Sequence, residues 1–238
     1  MSRHARPKRL GSTRLLGFLI FHSENDAMSD NPFNQIINEI LQGVVQQLNP
    51  EIGAAIRNSG FDPLQNVASG SASIGIGSAS YSITHLTGVS SIQIQDLVAS
   101  NITTSGSNLS APLNFHAVLN SSLNANVSGG LHILFADPSI SGSVRIDNPS
   151  VSGSAQVSGS ISNGSLCLNS ISGMNANFNY GNASIWINDL GPLNYLLQPV
   201  ESLILDATKG AIRNLISSQI NSIVSDQLNK LLPKCTSL

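Results

Sequence analysis

The side chains able to do chemistry are few in this chain, and their spacing joins none of them into a catalytic set. The histidines His4, His22, His85, His116 and His132 are scattered, and none has another His, a Cys or a carboxylate at metal-ligand spacing. His85 and His116 sit in alternating, strand-like sequence, where a surface or hydrogen-bonded role is expected. Asp96 reads as a strand-end residue. Asp189, just ahead of Gly191-Pro192, reads as a cap for the helical segment behind it. Serine is abundant, yet no G-x-S-x-G elbow or S-x-x-K motif frames one. Gly75-Ile76-Gly77 is glycine alternating in a strand, without a P-loop or dinucleotide fingerprint. No catalytic residue, metal or cofactor is expected, so the chain is not read as an enzyme.

What remains is covalent modification. Cys167 lies in strand-like Leu166-Cys167-Leu168, and Cys235 follows the last helical stretch. A bridge between them would tie the helix end to the sheet, and closing so long a loop is worth ~4 kcal/mol. Two separate buried thiols, as in a reducing compartment, are the alternative. Six sequons, at Asn101, Asn108, Asn120, Asn126, Asn163 and Asn182, are candidate glycosylation acceptors. A chain so rich in Asn and Ser generates sequons by chance, which makes them weak support for secretion.

Charged residues are only 10% of the 238, and aliphatics are plentiful and patterned, so a folded chain is expected instead of a charge-rich disordered one. Arg3, Arg6, Lys8, Arg9 and Arg14 crowd the start. From Ser29 onward six basic residues face eleven acidic ones, an excess of about five negative charges. Nucleic acid is excluded as a partner, because it requires a basic face. The basic start, the apolar run Leu15-Leu16-Gly17-Phe18-Leu19-Ile20-Phe21 and the polar residues after it follow the order of a secretory signal. The run is short and no small-x-small cleavage site is convincing, so a disordered basic arm is the alternative. No run approaches the ~18 apolar residues of a membrane span.

The elements that must position these residues are of two kinds. Asp30-Asn31-Pro32 opens a helix whose stripe is Phe33, Ile36, Ile37, Ile40, Leu41, Val44, Val45 and Leu48. Asn49-Pro50 is expected to end it, with a short second helical piece from Glu51 to Asn58. From Val67 to Leu190 the period is two, with turns at Asp137-Pro138, Asn148-Pro149, Asn163-Gly164 and Tyr180-Gly181. Apolar residues alternate with Ser and Asn there, as in an antiparallel meander with one wet face. The Ser-Gly alternation of Val151 to Ser160 raises a rival, a solenoid or extracellular adhesive β-protein, but no fixed period emerges. From Pro192 to Leu232 apolar residues recur at three- and four-residue steps. That pattern predicts a short helix at Leu193 to Gln198 and a longer one with a bend near Gly210, ending before Pro233. The fold class is therefore α+β: a long, strongly curved antiparallel sheet wrapped around a long C-terminal helix, with an N-terminal amphipathic helix.

A sheet wrapped on a helix, poor in aromatics, leaves an elongated apolar interior. Its expected lining is Ile40, Val44, Phe115, Ile133, Phe135, Val144, Ile146, Phe178, Leu196, Val200, Leu203, Ile212 and Leu215. Such a cavity takes an acyl chain, terpenoid or sterol by area burial, ~0.8 kcal/mol per methylene. Tight packing with no cavity is the bland alternative. A surface-active or membrane-contact protein, whose helix and sheet part at an interface, is the functional one.

This order of elements resembles the tubular lipid-binding superfamily. That superfamily includes the bactericidal/permeability-increasing protein, the palate-lung-nasal proteins, the insect takeout and juvenile-hormone-binding proteins and the mite group 7 allergens. The likeness is carried by Leu86-Thr87-Gly88-Val89-Ser90-Ser91-Ile92-Gln93-Ile94, similar to the family's G-L-S-x-hydrophobic strand start, and by Gly191-Pro192-Leu193 at the last helical region. Cys167 and Cys235 resemble the strand and helix cysteines of the bactericidal and palate-lung-nasal branch, at longer spacing. The resemblance covers roughly Pro32 to Cys235. It implies a secreted, non-catalytic carrier or membrane-surface protein that encloses lipid or another apolar small molecule. Residues 30–238 would be a single lipid-binding-type module, and 1–29 a basic arm or degenerate signal-like segment. The basic tip of the endotoxin-binding branch and the early disulfide of takeout-like carriers are both missing, which weighs against endotoxin binding and hormone transport.

Overall fold

In the computed structural model, which describes residues 32–238, the first apolar stripe forms one unbroken helix, α1 (Pro32–Asn58). The basic arm or signal-like segment expected over residues 1–29 lies outside the described residues. Pro50 sits inside α1 and does not end it, contrary to expectation. A proline in a helix interior costs about 3 kcal/mol. The buried stripe of Ile37, Leu41, Val44 and Leu48 continues through Ile52 and Ile56, and that burial outweighs the lost backbone bond.

The alternating region folds into β1 (Leu64–Ser73), β2 (Gly77–Thr87), β3 (Ile92–Ala99), β4 (Thr103–Ser105), β5 (Asn108–Leu119), β6 (Leu123–Ile133), β7 (Ser139–Asp147), β8 (Ser150–Ser162), β9 (Ser165–Asn179) and β10 (Asn182–Ile187). Every pairing is antiparallel. The strands hydrogen-bond in two groups. One runs β1-β2-β6-β7-β10, and the other includes β9-β8-β5-β3 with β4 beside β5.

Those groups are two halves of one curled meander. β2 leads into β3, β5 into β6, β7 into β8 and β9 into β10, and none of these consecutive pairs bond to each other. Each pair runs on across a short break, which between β2 and β3 is a 3-10 turn (Val89–Ser91), and register carries across the junctions: Thr87 opposes Asn124 and Ile92 opposes Leu119. Likewise Asp147 opposes Asn182 while Ser150 opposes Asn179. The junctions form a crease across the sheet. Asn148-Pro149 and Tyr180-Gly181, expected as turns, fall on it and bend the strands without reversing them. Asn163-Gly164 does reverse the chain between β8 and β9, and Asp137-Pro138 lies in the loop between β6 and β7.

The crease has a sequence cause. Gly88 takes φ 98°, and a Cβ there would stand 2.5 Å from the Ser122 carbonyl oxygen, so only glycine fits. Asn148 is also left-handed, at φ 49°. Asp62 accepts the backbone N–H of Gly88 (3.2 Å) and of Ser90 (2.6 Å), fixing the first bend. The segment Leu86 to Ile94, on which the family resemblance rests, is this bend.

The C-terminal helical stretch of 40 residues crosses both halves. It begins as a 3-10 turn (Gly191–Leu196) and becomes α2 (Leu197–Leu215). A π-turn (Ile216–Ile220) then leads into α3 (Asn221–Lys230). Pro199 falls in the first turn of α2, where no intrahelical donor is needed. The α-helix is uninterrupted at Gly210, and its irregularity is the π-turn, a few residues beyond the expected bend. An unforeseen short strand, β11 (Lys234–Ser237), then pairs with β9. The half holding β3, β5, β8, β9 and β11 is called here the disulfide half, and the half holding β1, β2, β6, β7 and β10 the tip half.

Candidate functional site

The interior is closed differently in the two halves. In the disulfide half, β3 has a free edge, and α1 covers it with two asparagine clamps. Asn49 accepts the N–H of Ile94 and donates to its carbonyl, both at 2.9 Å. Asn38 does the same at Ala99, at 2.8 and 3.3 Å. Along β9, β11 covers the edge first, and Asn229 of α3 then clamps Ile171 at 2.8 Å in both directions. Since α1 also lies against α3, strands and helices close a ring. Asn38 lies off the apolar stripe of α1, and Asn49 was expected at its end. Nothing in the spacing marks either as an edge clamp.

Cys167 and Cys235 oppose each other in the β9–β11 pair and form the expected disulfide. Over the tip half, α2 meets the outer strands β1 and β10 and is held by apolar contact of Val200, Ile204 and Ile212. Lys209 adds its ammonium 5.6 Å from the ring centre of Tyr180.

The buried residues form one apolar cluster. Among the described residues the one buried polar side chain is Thr208, whose hydroxyl donates to the Ile204 carbonyl at 2.8 Å. A largely covered void of about 10 Å³ lies in the disulfide half, between Phe115, Ala117, Val151 and Met174 of the sheet and Ile220, Asn221, Val224 and Leu228 of the helical stretch. That volume is at the lower limit for a single water. The larger hollows are open and polar-rimmed: about 290 Å³ beside Gln42, Gln46 and Asp96, and about 510 Å³ beside Asp226, Gln227 and Lys230.

Of the residues expected to line a cavity, Ile40, Val44, Phe115, Val144, Ile146, Phe178, Leu196, Val200, Ile212 and Leu215 are buried in the shared core. Ile133 and Leu203 are half-buried. Phe115 alone of the set borders the void. Phe135 does not face inward: it stands 96% exposed on the β6–β7 hairpin tip, because alternation ends with the strand at Ile133. The Ser-Gly alternation of β8 has a packing cause. A Cβ at Gly153 would run into the Asn175 carbonyl oxygen of β9 and stand 2.7 Å from the Phe115 ring opposite, and one at Gly159 would meet the Cys167 carbonyl oxygen and then Leu109.

The polar groups with shifted acidity lie outside this interior. Asp147, at the crease, accepts the Ser122 hydroxyl and the Arg145 guanidinium, each at 2.7 Å, and these bonds hold its pKa below the ordinary 3.8. Asp189 accepts the Gly191 N–H and the Asn194 amide, which lower its pKa in the same way. These bonds brace the turn ahead of the 3-10 segment, but Asp189 is not the cap expected from sequence: Leu190 holds that position and no side chain caps the segment. His85 and His132 are exposed and His116 half-buried; His4 and His22 lie outside the described residues. Among the described residues no group of three metal-ligating side chains converges. All six sequon asparagines are exposed.

No family model matches the chain, and no curated protein does. Solved structures do show a likeness, among them two. One is the crystal structure of lipopolysaccharide binding protein, at 16% identity and a TM-score of 0.35 over 77% of this chain. The chain spans 40% of that protein's length. The other is the crystal structure of Takeout 1 from Epiphyas postvittana, at 12% identity and a TM-score of 0.35, covering 80% of this chain and 87% of that one.

Proposed function

We propose that the chain is a non-catalytic binder or carrier of a lipid or other apolar small molecule, held between the curled sheet and the C-terminal helix. The observation that carries this reading is the chemistry of the interior. Among the described residues it is walled mainly by hydrocarbon, the one fully buried hydroxyl is already bonded within α2, and the polar side chain beside the void is the Asn221 amide. Such walls select a guest by area removed from water and offer no group to transform it.

The void of about 10 Å³ is too small for an acyl chain, so a guest enters by displacing side chains. Met174 is the adaptable wall. The π-turn Ile216–Ile220, which interrupts the regular helix ladder beside the void, is the place where the opposite wall yields. In this reading residues 30–238 act as one module, secreted, disulfide-bonded and glycosylated at exposed sequons.

Organic extraction and native mass spectrometry of the full chain test the proposal. A co-purifying apolar molecule, and an environment-sensitive dye displaced by fatty acid, are expected. A ligand-free protein that admits no dye would overturn it. Intact mass of the native product reads cleavage and glycosylation in the same experiment.

A further inference from the structure

Among the described residues, five of the seven large hydrophobic side chains most open to solvent, Ile76, Leu134, Phe135, Trp186 and Tyr195, belong to the tip half or the turn that leaves it. Three of them are neighbours. Gly77 opposes Ile133, so the β1–β2 and β6–β7 hairpin loops end side by side and present Ile76, Leu134 and Phe135 together. Leu134 is 85% and Phe135 96% exposed. Within residues 73–77 and 131–139 the only titratable side chains are His132 and Asp137, 3.3 Å apart and both exposed. None of the six Lys and Arg of the described chain lies in either loop.

From this we infer that the paired hairpin loops are a wedge that inserts into an electrically neutral lipid surface. The occupant follows from size and charge. Three side chains present roughly 400 Å², half of the ~800 Å² that each partner gives to a stable protein interface. A convex finger would also need a matching concave pocket on a protein, whereas a fluid bilayer closes around it. The absence of cations from the loops removes any preference for anionic headgroups. The inference extends the carrier reading by locating where a carrier meets its lipid source, but it stands on different residues.

The test is flotation of the full chain with phosphatidylcholine vesicles. The wild-type chain binds, and the Leu134→Ser/Phe135→Ser double variant loses about tenfold or more in partitioning. Its melting temperature and extracted ligand stay unchanged, because both side chains lie outside the core. In a Trp186→Phe/Phe135→Trp chain, fluorescence shifts blue on adding the vesicles. Adding phosphatidylglycerol changes binding by no more than about twofold. Equal flotation of variant and wild type overturns the wedge, as does an unmoved Phe135→Trp emission or binding that appears only with phosphatidylglycerol. So does self-association in sedimentation that the double variant abolishes, which would make a second copy the occupant. Absence of extractable ligand defeats the carrier reading alone and leaves the flotation result standing.

Discussion

The two halves of the sheet are built from the same long strands but closed by different means. In the disulfide half, backbone edges are satisfied by the asparagine clamps of α1 and α3, and a covalent bridge fastens β11 to β9. In the tip half, α2 lies between β1 and β10 on apolar contact, while the hairpin loops push hydrophobic side chains into solvent. Apolar contact is non-directional and tolerates sliding, whereas a clamp that satisfies both groups of one peptide fixes position. The same strands thus carry a fixed end and a more yielding one, with the crease between them.

Two phenylalanines expected in one cavity separate the halves most sharply. Phe115 is 8% exposed at the void in the disulfide half, and Phe135 stands at the tip. Phe115→Ala should cost about 3–5 kcal/mol in urea unfolding and should raise dye uptake by enlarging the void. Phe135→Ala should stay within about 0.5 kcal/mol of wild type. Equal losses at the two positions would erase the distinction.

Removing the bridge comes next. The Cys167→Ser/Cys235→Ser variant should lose about 4 kcal/mol, less any structure left in the reduced unfolded chain. Hydrogen exchange should quicken first in β11 and the adjoining stretch of β9. Faster exchange centred on β1 and β10 would show that the bridge restrains the wrong half.

A smaller contrast lies in the clamps. Asn229→Ala strands the N–H and carbonyl of Ile171 under α3, which should cost about 1–3 kcal/mol. Asn188 makes a similar clamp in the tip half, accepting the Ser141 N–H at 2.6 Å, but in an exposed setting. Water replaces it there, so Asn188→Ala should cost about 0.5 kcal/mol or less. Thermal melts of both variants against wild type measure the difference.

The meander, its inward alternation and both helical stretches were readable because each rests on a period that burial enforces. Ile37, Leu41 and Val44 repeat on the turn of a helix, and Val151, Ala155 and Val157 on the step of a strand. The crease was not readable. Asn148-Pro149 carries the same turn signal as Asn163-Gly164, and only pairing with distant strands decides that one bends and the other reverses. The clamp at Asn49 was hidden for the same reason, since its partner Ile94 lies 45 residues away, and Pro50 reads as a helix end until the burial of Ile52 and Ile56 beyond it is known. At the candidate site the chain's apolar character was legible, but not how nearly its side chains fill the space, which depends on the approach of Phe115 over Gly153.

The least effect is expected at the crease, where Asp147 links β7 to Ser122 of the neighbouring bend. Its pKa is lowered in the folded chain by the Ser122 hydroxyl and then by Arg145. A carboxylate with a depressed folded pKa contributes stability that is present above the unfolded value and lost as pH falls through the folded one. At neutral pH wild type should therefore melt slightly above Asp147→Asn. The gap should narrow as pH drops below the ordinary 3.8 and close once the folded-state carboxyl is protonated. Asp189 shifts the same way in both proteins, so the difference between their melting curves isolates Asp147. The group is exposed and solvent screens it, which keeps the gap small. A gap that persists unchanged into acid would assign the loss to the shape of the side chain and not to its charge. The crease would then be a joint held by Gly88 and Asp62, with Asp147 incidental to it.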